Sequence, residues 1–271
     1  MADFAVSLAL LGATVLLCEA TRRAAARLSP GDYWIYLLEA ASTFQLCLCT
    51  HELKLLGESG QVEPPVGLTL TYTVTVIHIL SFRGASCNPN GALESVYRGS
   101  ASVKVAAVII AGQFVAAVAA QFAAASVWSL GLSDLHLRHQ RFGFRCFDPL
   151  GGTVVEAAAV ELACAFTVQA AVLHVYKLDE KLRVHAIAAV ITTLVYAGGS
   201  ISGAVFNPVL AFSIQFPCSG HTYLEYCFVY WLGPVLGMAS CILLFEKIIP
   251  FLSGKSTVAL DVPVVQKEKT Q

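Results

Sequence analysis

The chain has 271 residues, of which 56% are hydrophobic and only 13% charged, with a formal net charge of −1. Soluble domains carry about a quarter charged residues, so this chain has too few to clothe a water-soluble globule of its size. A near-neutral balance without a long Lys/Arg block argues against a nucleic-acid partner, and a polytopic helical membrane protein is the expected class.

Seven apolar stretches follow in order, at about 4–21, 34–57, 66–83, 102–128, 153–178, 184–200 and 222–250. Most are long enough to cross roughly 30 Å of hydrocarbon as a helix. Helices are expected throughout, because only a helix satisfies its own backbone in lipid. The first stretch runs apolar from Phe4 to Cys18, then meets Glu19, Arg22, Arg23 and Arg27. A signal peptide or an interfacial amphipathic helix are alternatives; the favoured reading is an added N-terminal helix, spanning or partly embedded, followed by a basic cytoplasmic loop.

The other six divide into two halves. "LLEAASTFQLCLC" (37–49) resembles "VVEAAAVELACAF" (154–166), aligning Glu39 with Glu156 and Cys47 with Cys164. Each half runs as a Glu-bearing helix, a second helix, Gly-Ala-x-x-Asn-Pro, a short apolar segment and a third helix. Three helices per half make the second copy enter the membrane from the opposite side, so the halves are inverted repeats. Charge supports this in part. Lys177, Lys181, Arg183, Lys247 and Lys255 fall in segments expected to be cytoplasmic, whereas Arg138, Arg141 and Arg145 crowd a central loop expected to face outward.

The two Asn-Pro motifs hold all three asparagines of the chain, Asn88, Asn90 and Asn207. Asn at an N-cap accepts a backbone N–H, and Pro89 and Pro208 suit the first helical position. About a dozen residues follow each motif before the next span, too few to cross a bilayer. Each motif therefore starts a half-helix that enters only to the midplane. By inversion the two caps meet there, with both positive dipole ends converging. Water crossing at that point would find amide donors and a potential that opposes cations and protons.

Paired Asn-Pro half-helices in a Glu-marked 3+3 repeat resemble the aquaporin (major intrinsic protein) family over about 34–250. "THELKLL" (50–56), "LVYAGGSISGAVFNP" (194–208) and "CSGHTYLEY" (218–226) resemble its unorthodox branch, in which a cysteine nine residues after the second motif, here Cys218, is a mark. The resemblance implies an all-α channel behind the added N-terminal helix, passing water, glycerol or hydrogen peroxide, in homotetramers embedded in lipid, with no reaction and no cofactor. It implies that Glu39 and Glu156 support the Asn-Pro loops. Most members read Asn-Pro-Ala twice; here Asn90 and Val209 replace the alanines, and Leu210 stands where an arginine usually narrows the outer filter.

His78 and Cys87 are candidate pore-lining residues. Free packing of Cys218 against the second half-helix is the favoured reading, with a Cys146–Cys218 disulfide as the alternative. The organisation expected is a helix and basic loop at 1–33, a channel domain at 34–250 (repeats 34–128 and 153–250) and a cytoplasmic tail at 251–271. Its "KEKTQ" end resembles a dilysine signal for the endoplasmic reticulum. Two other functions compete with a channel: a non-conducting scaffold on the same fold, and an intramembrane enzyme using Glu156, Glu161 and His174. The spacing gives the enzyme no convergent cavity.

Overall fold

The structure, a computed structural model, describes residues 2–29, 33–58, 60, 62–143, 146 and 150–254. Arg145, Lys255 and the "KEKTQ" tail lie outside the described residues. Ten helices are seen among the described residues: α1 (Ala2–Leu28), α2 (Trp34–Glu58), α3 (Pro64–Ser81), α4 (Pro89–Tyr97), α5 (Val103–Ser129), α6 (Asp134–Arg141), α7 (Val154–Val175), α8 (Glu180–Ser202), α9 (Pro208–Gln215) and α10 (Tyr223–Leu252). Helices α1, α5, α7, α8 and α10 are long and apolar enough to cross a membrane by length and composition alone. Helix α2 carries Glu39 and Glu52 within its length, and α3 has only 18 residues.

The seven apolar stretches become α1, α2, α3, α5, α7, α8 and α10, and α4 and α9 are the two half-helices. At 1.5 Å per residue, the nine residues of α4 and eight of α9 reach only about 12–14 Å, less than half a bilayer. The chain is thus an inverted repeat, α2–α3–α4–α5 followed by α7–α8–α9–α10, with α1 added in front. It has two faces: α2 begins on the near face, and α5, α6 and the start of α7 meet on the far face.

Small residues set how closely the spans pack. In α5, Gln113, Ala117, Ala120 and Ala124 recur at spacings of four, three and four and are all buried. That spacing is one helix face, and it packs on α2, where Cys47 shares a cluster with Ala117, Ala120 and Val209. The corresponding pair, α7 and α10, uses glycine: a Cβ on Gly237 would lie 2.2 Å from the Leu162 carbonyl oxygen. Only a bare backbone permits that approach.

Helix α1 has 27 residues, about 40 Å of helix, and is tied at both ends. On the far face the Asp3 carboxylate accepts the Asp134 N–H at 2.9 Å. Nearby, the Glu52 carboxylate accepts from Ser7 Oγ at 2.5 Å and Trp128 Nε1 at 2.8 Å, with His136 Nε2 at 3.2 Å. On the near face α1 is held through Glu19 and Arg22. The expectation of a basic loop after residue 21 is corrected here. The helix runs on to Leu28, and Arg22 lies inside it, 1% exposed. Its guanidinium donates to Gln45 Oε1 at 2.8 Å and Glu19 Oε2 at 3.2 Å. A cation can stay there because partners on α1 and α2 replace its water. Helix α6, in the central connection, is a further element that the apolar pattern does not reveal; Ser133 caps it, its Oγ accepting the His136 N–H.

Candidate functional site

The two half-helices begin where the sequence predicts them. Asn88 and Asn207 both have extended backbones and both cap their helices. The Asn88 Oδ1 accepts the Asn90 N–H at 3.0 Å. The Asn207 Oδ1 accepts from Val209 and Leu210 at 3.1 and 3.3 Å. Pro89 and Pro208 occupy the first turns, where no donor is needed.

The other half of each amide reaches across. Asn207 Nδ2 donates to the Cys87 carbonyl at 2.8 Å, and Asn88 Nδ2 donates to the Phe206 carbonyl at 3.4 Å. Each cap thus holds the residue just before the other cap. Residues 118 and 120 apart in sequence meet reciprocally, so the half-helices face one another tip to tip and their dipoles converge.

The loops entering these caps are alike in backbone. Gly84 and Gly203, each four residues before its asparagine, have φ of +90° and +86°. Cys87 and Phe206, each one residue before, have φ of +50° and +40°. That conformation costs a non-glycine residue about 1–2 kcal/mol, so something must hold the loops.

A buried carboxylate holds each one. Glu39 on α2 accepts the Ser86 N–H at 2.7 Å and the Cys87 N–H at 3.0 Å. Gln113 Nε2 on α5 donates to the same carboxylate at 3.1 Å and also to Ser86 Oγ at 3.1 Å. In the second half the acceptor is Glu161. It takes the Val205 N–H at 3.0 Å, the Phe206 N–H at 2.5 Å and the Ser202 hydroxyl at 2.6 Å. Tyr230 on α10 then donates its hydroxyl to the Ser202 carbonyl at 2.6 Å.

The placement of the second support on Glu156 is therefore corrected. Glu156 sits exposed in the first turn of α7, in a capping box with Thr153: its Oε2 accepts the Thr153 N–H at 2.8 Å. Five residues turn a helix by about 500°, leaving Glu156 and Glu161 about 140° apart around α7. Only Glu161 faces the loop. The "TVVE" at 153–156 is itself a capping-box signature, and it distinguishes the two acids in the sequence. Gln113, an amide within an apolar span, is likewise readable as a polar residue in need of an interior partner.

The altered third positions are both packed away. Val209 is fully buried against Cys47, Ala117 and Ala120. Asn90 is buried, its Nδ2 donating to the Pro234 carbonyl at 3.1 Å; its Oδ1 has no partner among the described residues. Leu210 is half-buried and packs against clusters on both sides of α9. Cys87 brings its carbonyl, not its thiol, to the junction, and the thiol is buried. His78 is buried on α3 and stacked on Phe82 with ring centroids 4.9 Å apart.

Polar side chains gather at the far ends of the half-helices as well. Lys54 Nζ reaches the Ile214 carbonyl at 2.9 Å and Gln215 Oε1 at 2.6 Å, and Gln121 Nε2, with two N–H donors, lies within 3.0 Å of three carbonyl oxygens around the end of α9. At the end of α4, Arg98 bonds Glu94 at 2.7 Å and Glu246 at 2.6 Å. Burial opposes the Arg98 charge, but the two carboxylates outweigh it and raise its pKa.

Cys218 is not free: it forms a disulfide with Cys146, Cα atoms 4.8 Å apart across 72 residues. It still lies beside α9, with Sγ 4.0 Å from the Ile214 carbonyl. The bond joins the central connection to the segment after the second half-helix.

Two capped half-helices meeting inside an inverted three-helix repeat define a multi-pass membrane protein of channel architecture. Comparison with known proteins gives the family. The profile described as "Major intrinsic protein" matches residues 54–245. The chain is 38% identical over 257 residues to "Aquaporin-11" of Homo sapiens, covering 94% of each. It is 36% identical over 257 residues to "Aquaporin-12" of Mus musculus, covering 93% of this chain and 89% of that one. In fold it is similar to the aquaglyceroporin from Plasmodium falciparum, with a TM-score of 0.61 and 13% identity over 80% of this chain and 97% of the other. The chain belongs to the major intrinsic protein, or aquaporin, family. Its members are channels and not enzymes.

Proposed function

We propose that this channel conducts water and small neutral solutes, glycerol and hydrogen peroxide among them, along a passage running between the Asn88 and Asn207 caps. The reciprocal bonds across the two caps carry this reading. Each asparagine amide has two N–H donors and commits one to the opposite loop. One donor per cap is then left for a permeating oxygen, beside two helix N-termini that oppose cations. The burial of Val209 and Asn90 in packing away from the caps favours an open passage over a closed scaffold. Leu210 gives the outer filter an apolar residue without fixed charge, which suits small neutral solutes beyond water.

The same reading includes a homotetramer with one passage per subunit in lipid, a channel domain at 34–250 preceded by a helix and basic segment at 1–33, and a tail at 251–271 on the cytoplasmic side of an endoplasmic-reticulum membrane. Purified protein in liposomes tests the conduction. Vesicles holding the protein should shrink or swell faster than protein-free vesicles under water, glycerol or peroxide gradients. Gly203→Leu should remove the excess, because a Cβ there would lie 2.8 Å from Gln215 Nε2 at a φ of +86°. Wild-type vesicles no faster than empty ones for all three solutes would leave the scaffold as the better reading.

A further inference from the structure

The two re-entrant loops are held alike by Glu39 and Glu161, but the first has a further tether from outside the repeat that the second lacks. Arg83 opens the first loop, next to Gly84, at a φ of +52°. Its guanidinium bonds the carboxylate of Glu19 on α1. Glu19 also accepts from Arg23 at 2.7 Å and from the buried Arg22 at 3.2 Å. Arg22 in turn donates to Gln45 Oε1 on α2, and Gln45 donates to Ser81 Oγ at the end of α3 at 3.2 Å. One polar chain therefore runs from the added helix through α2 to the end of α3 and into the loop that carries Asn88. Among the described residues, no helix outside the repeat reaches residues 203–207 in this way.

We infer that α1 is a latch on the first re-entrant loop, with Glu19 and Arg83 as positioning residues for the Asn88 cap. The physical need is visible in the backbone. Arg83, Gly84 and Cys87 all have positive φ, and Glu39 holds only the last part of the loop, at Ser86 and Cys87. Arg83 anchors its start. Arg22 fixes α1 against α2, so that Glu19 is presented from a rigid helix rather than a fraying end.

The part of this inference that concerns solute flux rests on the conduction proposed above; the latch itself does not, and hydrogen exchange reads it without any flux. Arg83→Gln removes the loop end of the latch and leaves Glu19 paired with Arg22 and Arg23. Arg23→Gln removes another guanidinium from the same carboxylate without touching the loop, and is the control. In lipid nanodiscs, peptides spanning 83–88 should exchange roughly tenfold faster in Arg83→Gln, as expected for loss of a charge-assisted tether. They should be unchanged within about twofold in Arg23→Gln, and near wild type in Arg83→Lys. Peptides spanning 203–207 should stay as in wild type in all three. Unchanged exchange at 83–88 in Arg83→Gln, or an equal rise in Arg23→Gln, would overturn the latch whether or not the protein conducts. If the wild type conducts, Arg83→Gln should also slow flux without lowering the melting temperature. Faster exchange with unaltered flux would overturn the positioning role while leaving the conduction reading standing.

Discussion

Exchanging Glu161 for Gln isolates the group on which the second re-entrant loop depends. The amide keeps one carbonyl oxygen, which can still accept from Ser202 and Val205, as Oε1 does now. The other position becomes an NH2 that faces the Phe206 N–H, where Oε2 now accepts at 2.5 Å. Two donors then confront one another in a buried site. Leaving one backbone N–H unpaired there costs about 1–3 kcal/mol, and the remaining bonds lose their charge assistance. A total of about 3 kcal/mol corresponds to local opening roughly a hundredfold more frequent. Hydrogen exchange over 203–207 in lipid nanodiscs reads this directly, and residues 84–88 serve as an internal reference. Glu156→Gln touches only the exposed cap of α7 and should leave the same peptides within about twofold of wild type. If Glu156→Gln loosened 203–207 as much as Glu161→Gln, or Glu161→Gln left it unchanged, the assignment of the second support to Glu161 would be wrong.

Other outcomes follow from the packing and the covalent links. A Cβ at residue 237 would lie 2.2 Å from the Leu162 carbonyl oxygen, so Gly237→Val forces α7 and α10 apart; size-exclusion profiles in detergent should show loss of the monodisperse peak. Cys146→Ser should abolish the mobility shift on reducing gels and lower stability by about 2–4 kcal/mol, the range for closing a long loop. A wild-type protein whose mobility ignores reductant would contradict the bond. Glu52→Ala removes the acceptor shared by Ser7, Trp128 and His136; a drop in melting temperature together with faster exchange over residues 2–12 is expected.

The architecture is legible in the sequence because its signals are physical and local. Apolar length marks the spans. Asn-Pro followed by too few residues marks the half-helices, and an odd number of spans per half requires their opposition, which the Asn88 and Asn207 cross-bonds display. What is not legible depends on rotation and depth. The likeness of "EAA" at 39–41 and 156–158 is real as a string, but a helix start and a loop-facing position need not fall in the same register, and Glu161 holds the loop instead. Arginines after an apolar run resemble a membrane boundary. Arg22 is buried because Gln45 and Glu19 meet it, and only the packing of α1 on α2 makes those partners coincide. The Cys146–Cys218 pair spans 72 residues, a separation at which spacing says nothing about proximity.

A double-mutant cycle on flux addresses the junction itself. Asn88→Asp and Asn207→Asp each keep the capping Oδ1 but replace the donor that crosses to the opposite carbonyl with an acceptor. If one passage runs between two mutually dependent caps, either change alone should abolish most of the stopped-flow water flux of proteoliposomes, Asn207→Asp the more so given its shorter bond, and the pair should be no worse than Asn207→Asp. Losses that multiply, or two variants that conduct like wild type, would contradict a shared junction at the centre of the channel.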